Sequence, residues 1–240
     1  VGISFGQTDP KSPTGLDRAT VTGAATCISV EGTAAGVELT HLVAHDCATA
    51  GIVVAAGGAA AGVNATLTAD GVALDVAGSA TIKNSIVSTN QTGLRVTGSG
   101  TLTGSYDDLF GNQTDRLGVA AGTGDLSEVV AFANAAAHDY RLVGPQPSTD
   151  QGDPADAVGD EPTPNGGRIN LGAFGGTADA ELSTLAPITS DPPRLPVPTG
   201  GSVLRPLGEP GGCGVAGRRP SATAILFLLG ALFLTRRRRA

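Results

Sequence analysis

The sequence predicts an all-β chain wound as a parallel β-helix, and three observations carry that expectation. A glycine followed by a short β-branched alternation recurs at Gly36-Val37-Glu38-Leu39, Gly51-Ile52-Val53-Val54, Gly71-Val72-Ala73-Leu74 and Gly93-Leu94-Arg95-Val96, at spacings of 15, 20 and 22 residues. The abundance of Gly and Thr through this region excludes amphipathic helices. The 240 residues include 36 Gly but only 6 Phe, 2 Tyr and no Trp, so small side chains stacked regularly must build the core in place of aromatic anchors.

Taken in chain order, second strands fall between these segments at Leu42-Val43, Ala65-Thr66-Leu67, Ala80-Thr81-Ile82 continuing to Ile86-Val87, and Thr101-Leu102-Thr103. Coil upon coil, Ile28, Val30, Val37, Leu39, Val54, Leu74, Val76, Ile82, Ile86, Leu94, Val96 and Leu102 then point inward as ladders. Asn84 and Asn90 fall at turns that need a left-handed backbone and a side-chain hydrogen bond to the neighbouring coil. The repeat region is 1–142, and 143–180 reads as a segment that closes it. The competing architecture is an antiparallel β-sandwich, whose tight hairpin signals are nearly absent except at Asp70-Gly71. Val1 and the lack of Met place the start of translation upstream, so the repeat region is expected to be truncated at its N-terminus.

Residues 181–212 contain seven prolines, including Pro192-Pro193, and read as an extended linker. Beyond it lies Gly212-Cys213-Gly214, an apolar run over 221–235 and four arginines, Arg236 to Arg239. The run spans roughly 22 Å as a helix, against a hydrocarbon core of about 30 Å, and the flanking residues with their Arg stems nearly close the gap. Residues 1–210 carry 22 acidic and 9 basic side chains, whereas 211–240 carry 6 Arg and no acid, giving −13 and +6 and a net −7. Arginines after the apolar run place the C-terminus in the cytoplasm and the acidic body across the membrane. An acidic body without a basic patch excludes nucleic acid as a partner.

The tail resembles the Myxo-type C-terminal sorting signal of Gram-negative surface proteins over the last 30 residues. That resemblance implies anchoring or processing at Cys213 by a sorting protease, with lipidation of the cysteine or a retained helix as the two ways of holding the membrane. A second resemblance, to right-handed parallel β-helix proteins of the pectin-lyase-like type, rests on Asn84-Ser85-Ile86-Val87-Ser88-Thr89-Asn90 and Ser105-Tyr106-Asp107-Asp108-Leu109-Phe110-Gly111-Asn112. Downstream, Asp150-Gln151-Gly152-Asp153-Pro154 and the run from Pro164 to Thr177 resemble the closing segment of choice-of-anchor Q modules, although Pro147-Ser148-Thr149 departs from the usual lead into it. Both resemblances imply export to the cell surface or outer membrane.

Reaction chemistry is sparsely represented. Lys11 and Lys83 are the only lysines, and Asp107-Asp108, as neighbours in a strand, point to opposite sides and cannot address one bond. Asp150, Asp153, Asp156 and Asp160 share a Gly- and Pro-rich loop whose oxygens suit calcium. His41-x-x-x-His45 suits one metal on a helix but is too widely spaced on a strand. Cys27 and Cys47, 20 residues apart, permit either an exported disulfide or an unpaired buried ladder. No nucleophile triad, phosphate loop or paired CxxC is present. No catalytic residue and no cofactor beyond calcium is assigned. The expected function is a non-catalytic surface module for adhesion, or for binding an extracellular polysaccharide or surface protein. The alternative is a polysaccharide lyase or glycoside hydrolase with its site in missing coils or an assembled groove.

Overall fold

The computed structural model describes residues 1–6, 14–34 and 36–183. Three short strands and three corners make one coil. β1 (Ile3–Phe5), β2 (Thr14–Asp17) and β3 (Thr20–Thr22) form the first, and β4 (Thr26–Val30), β5 (Val37–Thr40) and β6 (Val43–His45) the second. The third holds β7 (Ala50–Val54), β8 (Ala59–Val63) and β9 (Thr66–Thr68), and the fourth β10 (Val72–Val76), β11 (Ser79–Lys83) and β12 (Ile86–Ser88). The fifth holds β13 (Thr92–Val96), β14 (Thr101–Ser105) and β15 (Asp108–Phe110), and β16 (Thr114–Leu117) begins a sixth. Every strand from β1 to β16 pairs in parallel with its counterpart one coil away, giving three sheets, β1-β4-β7-β10-β13-β16, β2-β5-β8-β11-β14 and β3-β6-β9-β12-β15. The chain is therefore a parallel β-solenoid of about five turns, and the sandwich alternative falls away.

The register aligns like residues into columns. Ile3, Ile28, Ile52, Leu74 and Leu94 form one inward ladder of the first sheet, and Phe5, Val30, Val54, Val76 and Val96 the next. In the third sheet the inward column is Val21, Ala44, Leu67, Val87 and Leu109. One expected inward residue is not there. Ile86 shares its column with Val43 and Thr66 on the outer face, where it packs against Leu142 and Leu171. It is completely buried all the same, because a second layer covers that face.

Two corners of each coil use left-handed backbone. Arg18, His41, Asn64, Asn84 and Tyr106 share a φ between 49° and 55° at one, and Asp46, Ala69, Thr89 and Gly111 occupy the other at 55° to 69°. Non-glycine residues tolerate this conformation because their N–H groups are held by the next coil, as in Asn64 N–H to Lys83 O at 3.0 Å and Asn84 N–H to Ser105 O at 3.2 Å. The residue after each corner turns inward and caps the coil before it. Asp70 Oδ1 accepts from Cys47 N–H, Asn90 Oδ1 from Asp70 N–H and Asn112 Oδ1 from Asn90 N–H, at 2.8, 2.9 and 3.0 Å. On the other corner Ser85 Oγ accepts from Ala65 N–H, Asp107 Oδ1 from Ser85 N–H and Asp125 Oδ1 from Asp107 N–H. Asn90 thus bonds its neighbouring coil as expected, but the left-handed residue beside it is Thr89. Asn84 is left-handed as expected, yet its side chain leaves the coil stack and bonds Asp153 N–H and Asp156 Oδ2.

Coils pack too closely for side chains at some positions. A Cβ on Gly71 would sit 2.5 Å from Thr49 O and 2.7 Å from Ala48 O. Cys27 and Cys47 are joined by a disulfide with their Cα atoms 5.7 Å apart, tying the strand β4 to the corner after β6. After β16 the chain forms an antiparallel pair, β17 (Phe132–Asn134) and β18 (Asp139–Leu142), bridged by a single 3-10 turn over Ala135–Ala137. Among the described residues no helix is long and apolar enough to cross a membrane. Lys11, most of the Pro-rich linker and the whole segment with Cys213 and 221–235 lie outside them.

Candidate functional site

The residues after β18 run back along the outer face of the third sheet. That face is built from the column Thr20, Val43, Thr66, Ile86, Asp108 and the column Thr22, His45, Thr68, Ser88, Phe110. The segment docks by backbone polar groups as much as by apolar contact. Asn64 Nδ2 donates to Asn170 O and Gly172 O at 3.0 and 3.2 Å, Ala173 N–H donates to Thr66 Oγ1 at 3.0 Å, and Ser148 Oγ donates to Asp108 Oδ2 at 2.7 Å. Tyr140 and Ala173 pack on Val43, while Leu142 and Leu171 pack on Ile86. Gly172, at φ +85°, lies so close to the sheet that a Cβ would stand 2.8 Å from Ile86 Cδ1 and 2.9 Å from Thr66 Oγ1. The closing segment is consequently a lateral cover rather than a plug on the last coil.

Where this cover meets the first coils it leaves a cavity of about 270 Å³. Val43, Ala173 and Phe174 give it an apolar floor, and Arg18, His41, Asp160 and Asp179 stand at its rim. His41 Nδ1 lies 2.9 Å from Asp17 Oδ1, and this hydrogen bond, with a second from Thr40, holds the Asp17 carboxyl below its usual range. His41 and His45 are not brought together. His41 sits at a corner, whereas His45 is on the outer face of β6.

Beside His45 the structure gathers residues that spacing did not connect. His45 Nδ1 is 2.7 Å from Asp46 Oδ2 and 3.2 Å from Thr22 Oγ1. His138 Nδ1 is 3.7 Å from the same carboxylate oxygen, and its ring stacks on His45 with centroids 4.4 Å apart. Tyr140 flanks His45 at 5.2 Å and is itself met edge-on by Phe132. The histidine of β6 is almost fully buried, but the side chains of Asp46 and His138 are 50% and 55% exposed, so the cluster opens to solvent. His138 reaches His45 only because the β17–β18 pair folds onto the sheet, and no local motif announces it.

The acidic residues of the closing segment disperse. Asp156 Oδ2 lies 2.7 Å and Asp153 Oδ2 3.7 Å from Lys83 Nζ, and Asp160 lines the cavity. Asp150 donates its N–H to Asn170 Oδ1 and leaves Oδ1 buried without a partner, as is Oε2 of Glu161. Among the described residues, three His, Cys, Asp or Glu ligand atoms come within 4.8 Å of one another only at His45, Asp46 and His138. The four aspartates Asp150, Asp153, Asp156 and Asp160 therefore do not converge on one point.

Among the described residues, Lys83 with Asp153 and Asp156 comes nearest to an acid–base set. The hydrogen bond that Lys83 Nζ donates to the Asp156 carboxylate raises the lysine pKa above its ordinary value, whereas a general base needs it lowered. Asp107 and Asp108 do face opposite ways, one into a corner ladder and the other outward to Ser148, and both are buried. Burial pushes the Asp107 carboxyl up to about 8 and raises that of Asp108. Arg95 is held by Asp75 in a two-point bridge at 3.0 and 2.6 Å, and Arg116 by Asp125 at 2.7 Å. These charges serve the coil stack. Fold and site together define a parallel β-solenoid with a laterally docked closing segment. Comparison with protein-family models, curated proteins and solved structures finds no match.

Proposed function

We propose that the chain is a non-catalytic surface module that binds an extracellular polysaccharide or a surface protein through the outer face of its second sheet. On this reading it is a right-handed β-helix of the pectin-lyase-like, choice-of-anchor Q type, exported and held at the outer membrane through Cys213 or the helix over 221–235. The observation that carries the binding role is the grid of hydroxyls on that sheet. Ser79 and Thr101 are paired in register, as are Thr81 and Thr103, and all four are exposed. Strand geometry spaces them about 4.8 Å across the sheet and roughly 6.8 Å along it, a flat polar lattice suited to repeated sugar hydroxyls. Against an enzyme stand the ion pairs that engage Lys83 with Asp153 and Asp156, Arg95 with Asp75 and Arg116 with Asp125.

Retention on immobilised acidic and neutral polysaccharides, paired with an assay for new reducing ends, tests this. Expected are retention without cleavage, and loss of retention in Thr81→Glu/Thr103→Glu. New reducing ends would instead establish the lyase or glycoside hydrolase alternative. Mass spectrometry of the mature C-terminus from membrane fractions tests the anchor, since an intact Arg236 to Arg239 tail contradicts processing at Cys213.

A further inference from the structure

We propose that Nδ1 of His45, Nδ1 of His138 and the carboxylate of Asp46 form a binding site for one divalent first-row transition ion, with the remaining coordination open to water. The site is independent of the polysaccharide-binding face, which lies on a different sheet.

The donor set selects the class of ion. Two imidazole nitrogens and one carboxylate oxygen suit Zn²⁺, Ni²⁺ or Cu²⁺, whereas calcium prefers six to eight oxygens. The distances suit it too. Ligands about 2.0–2.1 Å from a tetrahedral ion stand roughly 3.4 Å apart. Asp46 Oδ2 is already 3.7 Å from His138 Nδ1, and its 2.7 Å contact with His45 Nδ1 needs to lengthen by about 0.7 Å. Asp46 has room for that adjustment because its side chain is 50% exposed, and His138, 55% exposed, can turn out of its stack on His45 to aim Nδ1 at the ion, while His45 is fixed by burial, Thr22 and the Tyr140 ring.

Two structural features place these groups together. Asp46 occupies the left-handed corner that Ala69, Thr89 and Gly111 fill in the next three coils, so the corner is architectural and only its carboxylate is special to this coil. His138 is also left-handed, at φ 61°, where it caps the 3-10 turn between β17 and β18. An ion here would fasten the β17–β18 pair to the second coil, adding bonds to the packing of Tyr140 on Val43 and the His138–Asp46 contact.

Isothermal titration of the full chain with ZnCl₂ is expected to show one equivalent bound, with affinity at least about tenfold lower in His138→Ala and in Asp46→Asn. His41→Ala is expected to bind as the unsubstituted chain does. Imidazole nitrogen NMR of the unsubstituted protein gives the same answer without a substitution, through Zn²⁺-induced shifts at Nδ1 of two histidines. Absence of binding, binding undiminished in both variants, or shifts confined to His41 would each overturn the site.

Discussion

Asp70 is a carboxylate in a column otherwise continued by amides. Its Oδ1 accepts from Cys47 N–H, but Oδ2 is buried with no partner, and burial pushes its pKa up to about 8. Folding therefore retains a proton that the unfolded chain has released above its ordinary value near 3.8, so stability is greatest below that pH and falls as pH rises to about 8. The loss is on the order of 1 kcal/mol per pH unit for such a group. Asp70→Asn is expected to match the parent near pH 4 and exceed its melting temperature at pH 8, because Asn90 and Asn112 show that an amide fits the neighbouring rungs. Asp107 behaves differently despite a similar shift. Both of its oxygens accept from backbone N–H groups, those of Ser85 and Ser105, so Asp107→Asn turns an NH₂ toward a donor. It should destabilise at pH 4 by about 1–3 kcal/mol, measured by denaturant unfolding.

Among elements, the closing segment depends on how near its backbone can approach the third sheet. Gly172→Val would drive methyls into Ile86 and Thr66, and also occupy a φ that suits glycine. Hydrogen exchange is the sensitive measurement, with Ala173 N–H, now bonded to Thr66, expected to exchange at least tenfold faster while amides of β7 and β10 keep their protection. Uniform loss of protection across the coils would mean that the segment and the solenoid unfold as one unit. Leu171→Ala empties a completely buried contact on Ile86 and should cost about 2–5 kcal/mol in the same docking.

For the whole molecule, stability comes from apolar ladders continued from coil to coil. Leu67 lies fully buried between Ala44 and Val87, small neighbours unable to refill the space, so Leu67→Ala should lower stability by about 2–5 kcal/mol in calorimetry or denaturant titration. The disulfide closes a loop of 20 residues, for which chain entropy predicts about 3 kcal/mol. Reduction, or Cys27→Ala/Cys47→Ala, is expected to lower the melting temperature without changing the far-ultraviolet circular dichroism.

The parallel winding was legible in the sequence because strand periodicity and small-residue corners are local and repeat every coil, so each unit repeats the evidence of the last. The inward ladders of β4, β10 and β13 follow from that periodicity alone. Ile86 was not assignable in the same way, since an isoleucine beneath a second layer looks identical to one in the bore. Nor did any spacing join His138 to His45, or aim Asn64 at Asn170 and Gly172, 106 and 108 residues further on. Those contacts run largely through backbone carbonyls, which every residue possesses and no side-chain pattern marks. By itself, then, the sequence determined the coil, its small-residue core and the acidic balance of its body. Only the tertiary structure decided which outer face is covered and which polar groups meet beneath that cover, because docking is chosen by surface fit between segments far apart in the chain.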